Sequence, residues 1–227
     1  MLKKYSVFVS LFFCFSLNMF SQTLPTIDDV SKLRNWNYGS EIDDKNSNIA
    51  GSQYFEDRFL TARVSLLDNK ELEIRYNAVK DEMEYKNEGK VFRLNKKDSL
   101  IVVFKSGNKI YEYMDYIFKK KSEKGYLVRK TNFKKTDLFV KEIISFVPYK
   151  DAANPYEQAT QAHYRKDKNV YFIKLDIGVV EIPKKKKEFL KLFSENQENI
   201  DNFLKLNKVD LDDENDLISI VRFINTI

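Results

Sequence analysis

The chain is poor in the residues from which most compact catalytic and metal sites are built. Its 227 residues include one cysteine (Cys14), one histidine (His163), one tryptophan (Trp36), six glycines and four prolines. One histidine, with no cysteine after residue 14, leaves no ligand set for zinc or another transition metal. It also leaves no disulfide framework and no thiol chemistry beyond the N-terminal segment. The few glycines form no Gly-x-Ser-x-Gly elbow, phosphate loop or dinucleotide fingerprint, and there is no His-Glu-x-x-His. We therefore assign no metal and no cofactor. A Ser-His-Asp triad would rest on His163, which lies in an irregular stretch. After residue 27 no segment is apolar enough to span a membrane as a helix. A one-sided charge is lacking too. The formal excess is +5 from 39 basic and 34 acidic side chains, of which Lys3 and Lys4 supply two. The remaining basic excess is small and interspersed with acids, which argues against a nucleic-acid partner.

What is present begins with an export signal. Lys3 and Lys4 precede a run from Tyr5 to Ile27 without charge, and Val7 to Phe20 is strongly apolar. A basic start and a short apolar core read as a cleavable signal peptide over residues 1–21. Fourteen helical residues reach about 21 Å, short of the roughly 30 Å hydrocarbon core, so an anchor is disfavoured. Cleavage after Ser21 puts a small residue at −1, leaves Met19 at −3 and makes Gln22 the new terminus. Cys14 follows Leu11-Phe12-Phe13, not the small residue that a lipidation site needs. We expect a location in the periplasm or cell envelope, or secretion.

Hydrophobic fraction 43% and aromatic fraction 14% predict a packed core. Residues 22–50 read as a leader, with a short helix near Thr26 to Trp36 and a flexible loop over 40–50. Trp36 is read as docking that segment on the core. From Gly51 the pattern turns to short β-type runs divided by polar turns. These are Phe59 to Leu67 (closed at Asp68-Asn69-Lys70), Glu71 to Asn77, Glu82 to Lys86, Val91 to Leu94, Leu100 to Phe104, Lys109 to Phe118, Tyr126 to Arg129 and Leu138 to Val147. Ser106-Gly107-Asn108 signals a hairpin, and Lys119 to Gly125 a charged turn. Ile110, Glu112, Met114, Tyr116 and Phe118 share one face. Residues 148–168, with Pro148 and Pro155, interrupt the sheet, and a hairpin follows at Tyr171 to Leu175 and Val179 to Ile182. After Pro183 three helices are predicted: Lys184 to Phe193, Gln197 to Leu206 and Asp216 to Ile227, each with an i, i+3, i+4 stripe. Asp212 and Asp213 suit the start of the last one. The fold class is thus α+β. An antiparallel meander of about eight to ten strands over 51–183, rolled or barrel-like, is followed by a C-terminal helical cap over 184–227.

Two sets of residues carry candidate chemistry. Asp81, Glu82 and Glu84 are the best acids for general acid-base work without histidine. As a strand, Glu82 and Glu84 would share the face opposite Met83 and Tyr85, and the bland reading is that this face is solvated. The run Lys184, Lys185, Lys186, Lys187 could meet phosphate groups of anionic lipid or lipopolysaccharide, although cations sit poorly at a helix N-terminus. Asp210-x-Asp212-x-Glu214 lacks the glycine and the closing glutamate of a calcium loop, so capping explains it better.

Gly51-Ser-Gln-Tyr-Phe, Arg75-Tyr-Asn, Asp81-Glu-Met-Glu-Tyr and the run from Lys184 to Phe193 resemble a family of exported β-rich proteins from flavobacterial-type Gram-negative bacteria. The Ser21-Gln22 junction resembles that group too. The resemblance covers most of residues 51–227. It implies an envelope location and the order of sheet then helices; no activity is assigned to the family, so no catalytic residue carries over. The resulting expectation is an exported periplasmic or envelope protein that binds or interacts without catalysis, through the concave side of the sheet or the basic start of the helices. Its partner would be an envelope protein or an anionic lipid. A carboxylate-dependent hydrolase of glycan or peptidoglycan is the alternative, and a carrier with an apolar cavity inside a closed barrel a third reading.

Overall fold

The computed structural model describes residues 49–227 apart from 68, 69, 153, 155 and 157. The readings of the export segment, of Trp36, of the leader up to residue 48, of the Asp68-Asn69 turn and of Pro155 lie outside these residues. Twelve strands are present: β1 Leu60–Val64, β2 Lys70–Asn77, β3 Glu82–Asn87, β4 Lys90–Arg93, β5 Ile101–Phe104, β6 Ile110–Phe118, β7 Lys121–Arg129, β8 Leu138–Lys141, β9 Ile144–Val147, β10 His163–Lys166, β11 Val170–Leu175 and β12 Gly178–Glu181. Three helices close the chain: α1 Lys186–Leu190, α2 Gln197–Leu206 and α3 Glu214–Ile224.

Ten strands make one sheet in the order β12-β11-β8-β7-β6-β5-β1-β2-β3-β4, and β9 and β10 form a separate pair. β12 also pairs in parallel with β6 through Val180 and Ile117. That contact closes β6, β7, β8, β11 and β12 into a five-stranded mixed barrel, with β1 to β5 continuing as a meander. The expected β-rich roll followed by three helices is what the chain forms. Its closure by a parallel pair follows from no local pattern.

Period-two alternation assigns each face. Inside the barrel Tyr116, Leu127, Phe139, Phe172 and Val179 pack together, with Met114, Phe118 and Val170 against them. The interior is therefore a filled core. Tyr111 and Tyr113 of β6, Tyr126 and Val128 of β7 and Val140 of β8 point the other way. They meet Ala62, Val64, Ile74, Tyr76, Met83, Tyr85, Val102 and Phe104 of the meander in a second core. β6 to β8 are thus a shared wall, apolar on both faces, as buried central strands are. The apolar face of the meander packs into this core, and the sheet curls because that face has the wall to pack on; Ile74, Tyr76, Phe104 and Tyr111 of the same face also line a small pocket with Phe55 and Arg58. A third core sits outside the barrel, where Leu138, Ile173, Val180 and Ile182 meet Phe189, Ile200, Leu204, Leu217, Ile220, Val221 and Ile224 of the helices.

Several boundaries differ from the sequence pattern. Lys119 to Gly125 is mostly strand: β6 and β7 pair from Ile110↔Arg129 to Phe118↔Lys121, leaving only Lys119 and Lys120 as a turn with positive φ at both. The polar Lys121-Ser-Glu-Lys124 stretch is strand because it pairs, not because it alternates. Leu138 to Val147 is two strands, broken after Lys141, where the chain leaves the barrel to form β9. His163 lies within β10, opposite Val147. α1 is shorter than expected at both ends, while α3 begins at Glu214, two residues early, because Asp213 caps it.

Candidate functional site

The three candidate acids diverge. Asp81 sits in the β2–β3 turn with φ of 54° and reaches across to the wall. β7 and β8 pair only through Val128↔Val140 and Arg129↔Phe139. Where β8 turns away, the backbone of Tyr126 is met by side chains instead of a strand. Its N–H donates to both oxygens of Asp81 at 3.3 Å, and its carbonyl accepts from the Lys141 ammonium at 3.0 Å. Lys141 Nζ lies 2.6 Å from Asp81 Oδ1, and the Tyr76 hydroxyl donates to that same oxygen at 2.6 Å. Gly125 makes the insertion feasible. A Cβ there would collide with the Asp81 carboxylate and press on Lys141 Nζ at 3.0 Å.

Burial shifts the partners of this carboxylate. Lys141 is held below its ordinary value, because desolvation outweighs the opposing pull of Asp81. Tyr76 is pushed well above 10, first by burial and then by the Asp81 charge that its proton serves. Lys96 Nζ approaches Asp81 Oδ2 at 4.0 Å from the more open side. The arrangement pins a turn to a barrel wall, with three donors on one carboxylate.

Glu84 occupies the outer face of β3, but that face is not solvated as its alternation suggests. Residues 53–59 cross it, and Glu84 is 1% exposed. Its carboxylate accepts from Arg75 Nε at 2.8 Å, Tyr54 Oη at 2.9 Å and Asn77 Nδ2 at 2.9 Å. The Arg75 guanidinium lies over the rings of Tyr54 and Phe59, at 4.0 and 4.3 Å. Buried arginine is thereby paired with charge on its edge and aromatic rings on its faces. Glu82 shares the outer face of β3 but engages a different arginine, Arg93, at 3.3 Å. Asp81, Glu82 and Glu84 are thus held by separate donor sets, and no described contact joins any two of them. Among the described residues no group of three or more His, Cys, Asp or Glu is placed to hold a metal. His163 donates its Nδ1 proton locally, to the Gln161 carbonyl at 2.8 Å.

The lysine run is also divided. Lys184 turns to Asp212, at 3.0 Å, and Lys185 is the exposed N-cap of α1 without a side-chain capping bond. Lys186 and Lys187 instead join Lys191 and Lys205 around an open groove between α1 and α2, with Leu190 and Asp201 between them. Asp201 Oδ1 takes Lys186 at 2.8 Å and its Oδ2 takes Lys205 at 2.5 Å. Two lysines bonded to one carboxylate hold it below the usual carboxylate range.

Sequence reasoning missed Arg75, Asn77, Lys141, Lys191 and Lys205. Lys141 carried one signal: it directly follows the apolar Leu138-Phe139-Val140 run. Lys205 stands four residues after Asp201, the spacing of a helical ion pair. No protein-family model, curated protein or solved structure matches this chain.

Proposed function

We propose that this is an exported periplasmic or cell-envelope protein that binds or interacts at its surface without catalysis. The observation that supports this reading best is the filled barrel: Tyr116, Leu127, Phe139 and Phe172 occupy the interior where a carrier would place its ligand. Of the three acids that the hydrolase alternative would use, Asp81 and Glu84 each accept from three separate groups of the fold itself, and Glu82 engages Arg93. Asp81 and Glu84 are spent on holding the fold together, which favours binding over the hydrolase alternative. The short apolar N-terminal run and the resemblance to exported flavobacterial-type proteins support the location.

Co-purification from the native envelope tests the reading. The tagged protein should fractionate with the envelope, begin at Gln22 by mass spectrometry, and carry a stoichiometric protein or lipid companion. Recovery from the cytoplasm with Met1 intact would overturn the location. Turnover of a glycan by the purified protein would overturn the non-catalytic reading.

A further inference from the structure

The groove between α1 and α2 collects charge that the fold does not need. Four lysines line it, Lys186, Lys187, Lys191 and Lys205, against one carboxylate, Asp201. Asp201 holds Lys186 and Lys205 in place but cancels only one of them. Lys191 is tied to Glu188 at 2.9 Å in an exposed pair, 60% and 48% accessible, of the kind that contributes little and exchanges readily. Lys187 is exposed and forms no ion pair with another described residue. Counted against Asp201 and Glu188, the four lysines therefore keep an excess of two positive charges. Charge that the fold leaves incompletely neutralised on an exposed groove suits an external anion.

We propose that this groove docks the phosphate headgroups of an anionic lipid surface. The proposal rests on the reading above, that the chain binds an envelope component, and names the component's chemistry. Lysine ammoniums are compact point charges suited to phosphate oxygens. The groove spans about 580 Å³, room for a headgroup rather than a single small ion. Leu190 and the lysine stems add apolar contact, which a glycerol backbone can use and an inorganic ion cannot. The site differs from the run Lys184 to Lys187 seen in sequence. It excludes Lys184, which is turned to Asp212, and recruits Lys191 and Lys205.

The test is cosedimentation of the mature protein with phosphatidylcholine vesicles, with and without about one-third phosphatidylglycerol. Binding should require the anionic lipid. K186Q/K187Q/K191Q/K205Q should lose affinity at least about tenfold, given the contribution of each lysine at an anionic surface. K187Q/K191Q, which spares both partners of Asp201, should lose about threefold or more with unchanged circular dichroism. A control that removes four exposed lysines elsewhere, K119Q/K120Q/K121Q/K134Q, should change binding less than about twofold. An equal loss in groove and control variants would mean undirected attraction and overturn the site. Displacement from vesicles by inorganic phosphate at the concentration of lipid phosphate would overturn the lipid assignment in favour of a free anion. Equal binding to both vesicle types would overturn the proposal outright. A protein companion still recovered from the envelope in that case would leave the wider binding reading intact.

Discussion

Gly125 and Glu84 show how single residues carry this fold. Gly125 leaves room on β7 for the Asp81 carboxylate to enter the space left by β8. Gly125→Ala should therefore destabilise by about 1–3 kcal/mol, the usual cost of overpacking. The loss should shrink in an Asp81→Ser background, because the colliding carboxylate is gone; urea denaturation of the four-member cycle reads the coupling. Equal losses in both backgrounds would show that the contact with Asp81 is not what requires glycine. Glu84→Gln keeps the shape but removes the carboxylate charge that faces Arg75, itself buried to 8% exposure. Removing one partner of a buried pair costs about 3–5 kcal/mol, so the urea midpoint should fall accordingly. A change under about 1 kcal/mol would place Arg75 in a more solvated setting than its ring contacts imply. The sequence showed Glu84 only as one half of an alternating pattern. Alternation predicts which face a residue takes, not whether another segment covers that face, and here residues 53–59 do.

At the scale of elements, the helices were the most legible part. α2 has the bounds its i, i+3, i+4 stripe predicts, since Ile200 and Leu204 are the buried positions. The start of α3 depended on a cap. Asp213 Oδ1 accepts from the N–H groups of Asn215 and Asp216 at 2.9 and 3.0 Å. Asp213→Ala should cost about 1 kcal/mol, whereas Asp212→Ala, whose carboxylate only meets exposed Lys184, should lie near zero. Thermal unfolding of the two variants distinguishes them, and equal effects would assign the benefit to general charge rather than capping. Strand pairing was less legible. Lys121 to Lys124 has no apolar signal and forms a strand because β6 continues opposite it, from Asp115 to Phe118. The far end of α3 is tied down by a residue with no sequence signature. Asn225 Oδ1 accepts from the backbone of Lys135 and Thr136, and its Nδ2 donates to the Thr136 carbonyl at 2.9 Å.

Across the whole molecule, tyrosines bind the layers together and set the response to alkali. Tyr76, Tyr111 and Tyr126 are held above 10 chiefly by burial, and Tyr85 and Tyr116 are pushed up to about 12 by the same cause. A phenol with a raised folded value keeps its proton where the unfolded chain has lost it, so its contribution is complete below pH 10 and is lost as pH rises beyond. Lys141 acts in the opposite sense. Its lowered value makes the unfolded chain hold more protons below 10.5, so stability rises with pH up to that point. Several tyrosines oppose one lysine, and the net expectation is a urea midpoint that drops between about pH 10 and 12. Tyr116→Phe should flatten part of that drop, and a midpoint unchanged up to pH 12 would contradict the buried environment of the ring. The sequence by itself determined the class of fold, the order of sheet then helices, the faces of most strands and the scarcity of histidine and cysteine. Each of these follows from composition or from periodicity along the chain, which neighbours in sequence decide. Only the tertiary structure decided that the barrel closes through β12 and β6, that its interior is full, that Asp81 and the buried Glu84 anchor separate parts of the fold, and that two lysines of the run join two others in one groove. Those properties depend on which distant segments come into contact, and contact between segments far apart in the chain leaves no local period to read.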